Sequence, residues 1–179
     1  MPAIEISTFP LSDSATPELF KEPLEAIKGI DGHISSYYGL QTENNKTAYF
    51  VSVWETYAHR EKLIGDPKYA GLLEKLKTAI TGPPYPPPHR LLRRLHADAA
   101  KLTALEEELV KGFDAAAGAR KPCVYGQSAE DKTKFYIISG WDSLEAHQAV
   151  VAGGSLTPLV APILAIAEFS QGHATLQKQ

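Results

Sequence analysis

The eight residues "YFVSVWET" at 49–56 occur again, in diverged form, as "YIISGWDS" at 136–143. Each stretch has the aromatic and β-branched residues of a buried strand, followed by a tryptophan and an acid–hydroxyl pair. The shift from 49 to 136 is 87 residues, and the same shift places the pair "YG" at 38–39 on the "YG" at 125–126. Such a match in one register predicts two diverged copies of one module.

The repeat also predicts where the copies divide. Copy one spans residues 1–86 and copy two spans residues 87–179, with a hinge near the proline cluster "PPYPPP" at 83–88. A module of that length is a small domain in its own right, because it is much longer than the repeat unit of a solenoid.

Composition narrows the classes of function. The chain has 179 residues, of which 44% are hydrophobic and 22% charged, as in an ordinary globular protein. Its net charge is -3 and its Lys and Arg residues are scattered, so no nucleic-acid partner is expected. No apolar run approaches the roughly 18 residues of a membrane span, and the N-terminus "MPAIEISTF" lacks the pattern of a signal peptide.

Cysteine usage and metal-ligand spacing add two further expectations. Cys123 is the single cysteine, which rules out an internal disulfide and suits a reducing, cytoplasmic compartment. No group of residues has the spacing of a metal site, and none forms a phosphate-binding glycine loop.

Each copy is predicted to run strand, helix, strand, strand, helix, strand. In copy one, "AIEISTF" alternates as a strand, "TPELFKEPLEAIKG" has helical spacing, and "HISSYYGLQ" and "TAYFVSVWE" form a hairpin. Copy two begins with "RLLRRLHA" and closes with "GHATLQ". The predicted fold class is α+β: two ferredoxin-like split βαβ modules, packed sheet to sheet as an intramolecular α+β barrel.

One strand does not fit this scheme. The last strand of copy one falls on "YPPPHRL" at 85–91, and proline cannot donate hydrogen bonds to a sheet. An edge strand, a polyproline-like segment and the absence of the strand all remain open.

The two strand ends "YFVSVWETYAH" and "YIISGWDSLEAH" resemble the antibiotic-biosynthesis monooxygenase (ABM) domain of the dimeric α+β barrel superfamily. The preceding Tyr-Gly pair supports the resemblance, and "GDPKYAGLLEKL" is similar to the last helix of related stress-responsive barrel proteins. The resemblance covers both copies. It specifies the fold more closely than the reaction.

The resemblance implies a ligand cavity between each sheet and its helices, with the strand-end tryptophan pointing into the cavity. Strand parity adds two residues on the same face in each copy. The implied substrate-binding residues are Trp54, Phe50 and Ser52 in copy one, and Trp141, Ile137 and Ser139 in copy two. The first strand lacks the Asn of the haem-degrading branch, which disfavours that activity.

Three residues are candidates for catalysis. Tyr38 and Tyr125 carry phenols that could orient an acidic or phenolic substrate. His96 ends "RLLRRLH", and a neutral imidazole there could serve as a base near neutral pH. His33 is interpreted as a loop histidine.

The resemblance favours a small-molecule enzyme: a cofactor-independent monooxygenase acting on a hydroxylated aromatic or polyketide-like substrate, with no metal or flavin. Two alternatives stay open. One is a cyclase or lyase that uses the same pocket, and the other is a non-catalytic, stress-related protein that binds a hydrophobic metabolite. The expected partner is a small hydrophobic or aromatic molecule. A fused barrel has no need to dimerise, so a monomer or a weak homodimer is expected.

Overall fold

The computed structural model describes residues 1–16, 18–77, 79–82, 91–94 and 99–178. The fold is α+β, with two four-stranded antiparallel sheets and helices between the strands. The chain divides into two compact units. Unit one contains residues 1–87 and 173–179, and unit two contains residues 88–172.

The described elements agree with the predicted order up to the closing strand of each copy. Their bounds are β1 (Ala3–Pro10), α1 (Glu18–Ile27), β2 (His33–Leu40), β3 (Thr47–Trp54), α2 (Tyr57–Ile64), α3 (Pro67–Leu76), β4 (Leu91–Arg94), α4 (Ala99–Ala115), β5 (Ala119–Gln127), β6 (Lys134–Trp141), α5 (Leu144–Ala152), α6 (Thr157–Leu164), β7 (Ala167–Ser170) and β8 (Gln177–Lys178).

The sheet of unit one has the strand order β1-β3-β2-β8. The predicted hairpin of β2 and β3 turns at Asn45, whose φ of 53° lies in the left-handed region that asparagine tolerates. After β3, Thr56 caps α2 by accepting a hydrogen bond from the backbone N–H of His59. This cap explains why the hydroxyl that follows the tryptophan marks the end of the strand.

Beside the end of β1, among the described residues, the chain that follows α3 forms one isolated bridge. Leu11 pairs with Ile80, and the N–H of Thr81 donates to the carbonyl of Pro10 over 2.9 Å. Residues 83–90, which hold most of "YPPPHRL", lie outside the described residues.

The sheet of unit two has the strand order β5-β6-β4-β7, so that β4 lies between β6 and β7. Its elements follow the predicted sequence of strand, helix, strand, strand, helices and strand. Strands β3 and β6 both contain eight residues and begin 87 positions apart, at Thr47 and Lys134.

The closing strand of unit two differs from the one that the sequence predicted. Strand β7 is "AEFS", which precedes the predicted closing segment "GHATLQ" in the chain. Helix α6 ends at Leu164, and Phe169 then packs against the core of unit two. The predicted closing segment "GHATLQ" contributes residues 173–177 to unit one.

The C-terminal segment is held along the edge of β2 by backbone and side-chain contacts. Strand β8 pairs with β2, and the N–H of Thr42 donates to the carbonyl of His173 over 2.8 Å. The imidazole Nδ1 of His173 lies 2.6 Å from Oε1 of Glu43. Gly39 makes room for this segment, because a Cβ at that position would lie 2.2 Å from the carbonyl oxygen of Thr175.

Each unit has its own apolar core under its helices. The buried core of unit one contains Phe9, Phe20, Leu24, Ile27, Ala48, Trp54, Leu63, Leu76 and Ala79. The buried core of unit two contains Leu109, Phe113, Cys123, Phe135, Ile137, Leu156, Ile163 and Ala167.

In the part of the chain that the structure describes, no single helix is long and apolar enough to cross a membrane. Helices α5 and α6 have the length and composition of a span only when taken together, and they meet at a bend of 82°.

The contact at Gly39 generates a prediction with a control built into the repeat. Gly39→Ala should lower the free energy of unfolding by about 1–3 kcal/mol, because its Cβ meets rigid backbone rather than a side chain that can move aside. Urea denaturation and proteolysis of the C-terminal segment measure the effect.

Gly126, 87 positions later, is the matched control. It has no atom within 4 Å of its ideal Cβ, so Gly126→Ala should change stability by no more than about 0.5 kcal/mol. Equal effects of the two substitutions would contradict the described docking of the C-terminal segment on β2.

Candidate active site

The predicted residues of unit one lie in a row on the helix-facing side of the sheet. Side chains at alternate positions of a strand share one face. The row consists of three pairs across β2 and β3: Tyr38 with Phe50, Ser36 with Ser52, and His33 with Trp54. Its position under the helices is set by Phe50, whose ring contacts Phe20 of α1 at a centroid distance of 5.2 Å.

A hydrogen-bonded chain runs along this row. Nε2 of His33 lies 2.7 Å from Oγ of Ser36, and Oγ of Ser36 lies 3.1 Å from Oγ of Ser52. Ser36 and Ser52 are buried, whereas His33 is partly exposed. A register shift between His33 and Ser35 places His33 on the same face as Ser36. The chain therefore connects an imidazole near solvent to a hydroxyl in the interior.

Trp54 lies at the end of the row and is fully buried. Its Nε1 has no hydrogen-bond partner among the described residues. The ring of His33 meets the indole edge-on, with centroids 5.2 Å apart. A buried donor without an acceptor costs about 1–3 kcal/mol. An acceptor atom of a bound molecule would recover that cost.

The protonation state of His33 suits a base. Burial first, and then the charge of Lys28, lower the pKa of His33 below its ordinary value of 6.5. The imidazole is therefore neutral at neutral pH, with a lone pair that can accept a proton.

A partly buried ion pair lies beside the row. Glu5 of β1 is directly opposite Ser52 in the sheet, and its Oε1 accepts hydrogen bonds from Nε and Nη2 of Arg60, each over 3.1 Å. Burial, and then the charge of Glu5, raise the pKa of Tyr69. Because the charges of Glu5 and Arg60 compensate each other, the pair adds little net charge beside the row.

Unit one also has a cavity of about 190 Å³ at the other end of its sheet. Its lining includes Leu40, the last residue of β2, and Phe20 of α1. The ring of Phe20 contacts two predicted site residues, Phe50 at 5.2 Å and Tyr38 at 6.5 Å. The cavity thus lies next to the Tyr38–Phe50 pair.

In unit two the tryptophan has a different environment. Nε1 of Trp141 donates to Oγ of Ser139 over 3.0 Å. The ring of His147, a buried residue of α5, lies 4.7 Å from the ring of Trp141. Trp141 is only partly buried, so the predicted substrate-binding tryptophan of unit two is nearer to solvent than that of unit one.

The hydrogen-bonded chain of unit one has no counterpart in the sequence of unit two. The positions 87 residues beyond His33 and Ser36 hold Arg120 and Cys123. Arg120 forms an exposed ion pair with Asp142, at 2.9 Å. Ser139 is therefore available to accept from the indole of its own copy.

The remaining predicted residues are spread over different environments. Ile137 is buried in the core of unit two, as an apolar wall. Tyr125 is 40% exposed, and its phenol lies 3.5 Å from Oε1 of Glu107. His96 lies outside the described residues.

Two residues of the row were not predicted as functional: His33, taken for a loop residue, and Ser36. Their hydrogen bond depends on the register shift in β2, and no residue of "HISS" indicates this shift in the sequence. Among the described residues, no three His, Cys, Asp or Glu side chains form a group that could hold a metal ion.

No protein-family model matches the sequence, and no curated protein matches it.

Solved structures do share the fold. A protein of Fusobacterium nucleatum named "putative monooxygenase" has a TM-score of 0.73 and 6% identity, over 99% of this chain and 94% of that one. A Lactobacillus acidophilus protein of the same name has a TM-score of 0.65 and 12% identity, over 99% and 92%. An anthrone oxidase-like protein has a TM-score of 0.59 and 13% identity, over 98% and 96%. At these identities the likeness shows a common fold.

The lowered pKa of His33 predicts an acid-sensitive contribution to stability. The unfolded chain binds a proton at this position at higher pH than the folded chain, so stability rises with pH across the window. The contribution is complete above about pH 6.5 and is lost as the pH falls toward the lower folded-state pKa. His33→Gln should therefore flatten the pH dependence of unfolding below about pH 6.5.

Urea denaturation at several pH values measures the slope, and NMR titration of the imidazole gives the pKa directly. Lys28→Gln should raise the pKa of His33, because the ammonium of Lys28 is one of its two causes. An unchanged slope in His33→Gln would show that His33 titrates alike in the folded and unfolded chains.

Proposed function

We propose that the protein is a cofactor-independent monooxygenase acting on a hydroxylated aromatic substrate, and that unit one holds the working site. One observation carries the proposal: the buried N–H of Trp54, which has no acceptor among the described residues, lies in one row with the hydrogen-bonded chain of His33, Ser36 and Ser52. These are the groups that a phenol needs, namely a base, a path for its proton and a donor for its oxygen.

The proposed reaction needs only the substrate and dioxygen. The phenol loses its proton along the serine chain to the imidazole of His33. The electron-rich phenolate reduces dioxygen, and the resulting radicals combine to form a carbon–oxygen bond. The peroxide anion takes back the proton held by His33, and the resulting hydroperoxide loses water and leaves a quinone. One dioxygen is consumed for each phenol, one of its atoms enters the product and the other leaves as water.

In this reaction the protein positions the phenolate and removes it from water. The indole N–H is fixed in a dry interior, where a hydrogen bond to developing negative charge is stronger than in water. Trp54 is fully buried in this conformation, so the substrate oxygen can reach its N–H only when the core over the ring opens. The fold shared with proteins named "putative monooxygenase" and "anthrone oxidase-like" supports this class of reaction.

The organisation proposed for the chain is the one that its repeat predicts. The two units are two diverged ABM-like copies, with sheets packed face to face as an intramolecular barrel. The 87-residue spacing of β3 and β6 supports the duplication. The loss of the serine chain at Arg120 and Cys123 supports a single working site, in unit one. We propose that the protein acts in the cytoplasm as a monomer or weak homodimer.

Oxygen uptake by the purified, metal-free protein tests the function. Dihydroxylated aromatics and anthrones should consume oxygen in proportion to product, without release of hydrogen peroxide. His33→Gln should lower kcat by about 100-fold or more, because general-base catalysis contributes about 10²–10⁴. Trp54→Phe should also lower kcat, whereas Trp141→Phe should not.

His59→Gln is the matched control, since it removes another partly buried imidazole of unit one that bonds to Thr56 and is not part of the row. A loss of activity in Trp141→Phe alone would move the site to unit two. A new product without oxygen uptake would indicate a cyclase or lyase. Substrate binding without any product would indicate a binding protein rather than an enzyme.

A further inference from the structure

We propose that the cavity bounded by Phe20 and Leu40 is a binding site for a single-ring aromatic carboxylate, distinct from the place proposed for the phenol at Trp54. The cavity belongs wholly to unit one. Three properties of the cavity define the class of ligand: its volume, the apolar side chains of its floor and the lysine at its mouth.

The cavity and Trp54 lie at opposite ends of the same strand pair. Leu40 lines the cavity and is opposite Ala48 in the sheet, whereas Trp54 is opposite His33. Trp54 lies six positions after Ala48 in β3, a distance of about 20 Å at the usual rise of a strand. A single-ring ligand cannot occupy the cavity and contact the indole N–H together.

Volume selects a single ring. The cavity measures about 190 Å³. An engineered apolar cavity of about 150 Å³ binds benzene, and pockets for drug-sized ligands begin at about 300 Å³. One substituted benzene ring therefore fits, and a fused polycyclic ring system does not.

The floor suits an aromatic ring. Phe20 is fully buried, and its ring already meets Phe50 edge-on. Leu11, Ala15 and Leu40 complete the apolar part of the lining. Phe20 has no exposed surface in this conformation, so a ligand ring would rest on the partly exposed Leu11, Ala15 and Leu40 and bury apolar area there.

The mouth selects an acidic substituent. Lys46 and Asp13 are the two charged residues of the lining, and their side chains are 3.7 Å apart and largely exposed. Such a pair contributes little, so a ligand carboxylate can displace Asp13 from the ammonium of Lys46. The N–H of Lys46 donates to Oδ1 of Asn44 over 2.8 Å, which fixes the turn that carries the lysine.

Calorimetry or NMR titration of the full chain with benzoate, benzyl alcohol and benzylamine tests the charge preference. Benzoate should bind tightest. Lys46→Gln should weaken benzoate binding by about 2- to 5-fold and leave benzyl alcohol unchanged, since the pair is exposed and its charge effect is small. Asp13→Asn should strengthen benzoate binding. An anthracene carboxylate should not bind in the cavity.

Two control substitutions separate binding in this cavity from binding elsewhere on the chain. Lys77→Gln removes an exposed lysine of unit one that does not line the cavity, and should leave benzoate binding unchanged. Ala15→Leu should fill the cavity and abolish the binding of all three ligands. Equal or tighter binding of benzylamine, equal effects of the two lysine substitutions, or no saturable binding at millimolar benzoate would overturn the proposal.

The outcome is independent of the oxygenase proposal. Trp54→Phe should leave benzoate binding unchanged, because the two places are about 20 Å apart along β3. Benzoate binding without oxygen chemistry would leave this site in place and remove the proposed function. Oxygen uptake without benzoate binding would support the proposed function and remove this site.

Discussion

The antiparallel pairing of β2 with β3 is the constraint on which the rest of unit one depends. Its register places Tyr38 opposite Phe50, Ser36 opposite Ser52, and His33 opposite Trp54. A slip of one residue would turn every one of these side chains to the other face of the sheet. The same pairing positions the turn that carries Lys46, and it leaves the outer edge of β2 free to pair with residues 177–178.

The two units show how the same strand motif reaches different polar arrangements. Both keep a serine two residues before the strand-end tryptophan. In unit two that serine, Ser139, accepts a hydrogen bond from Nε1 of Trp141, two residues away in the same strand. In unit one Ser52 is bound instead to Ser36, which His33 also contacts. The indole N–H therefore has an acceptor in unit two and none among the described residues of unit one.

The repeat made much of the fold predictable, because the hydrophobic pattern of a strand and the spacing of its tryptophan are local signals. The predicted strands at Thr47–Trp54 and Lys134–Trp141 agree with the structure. The end of the chain was not predictable in the same way. Strand β8 pairs with β2, more than 130 positions earlier in the chain. Gly39 permits this approach because it has no side chain, but a glycine in a strand does not indicate which segment packs against it. His33 belongs to the row because of a register shift in β2, and no residue of "HISS" indicates that shift in the sequence.

Stability alone does not account for a tryptophan at position 54. Burial of its large ring is favourable, but a phenylalanine would bury much of the same apolar area without placing an N–H in the core. The described residues provide no acceptor for that N–H, and Ser52, the group that accepts in the other copy, is bound to Ser36. The cost of an unmet donor is about 1–3 kcal/mol, a large share of the stability of a domain of this size. A donor held in the interior at that cost has a physical reason if it meets an acceptor that arrives from outside the chain, and the oxygen of the proposed phenol substrate would be such an acceptor.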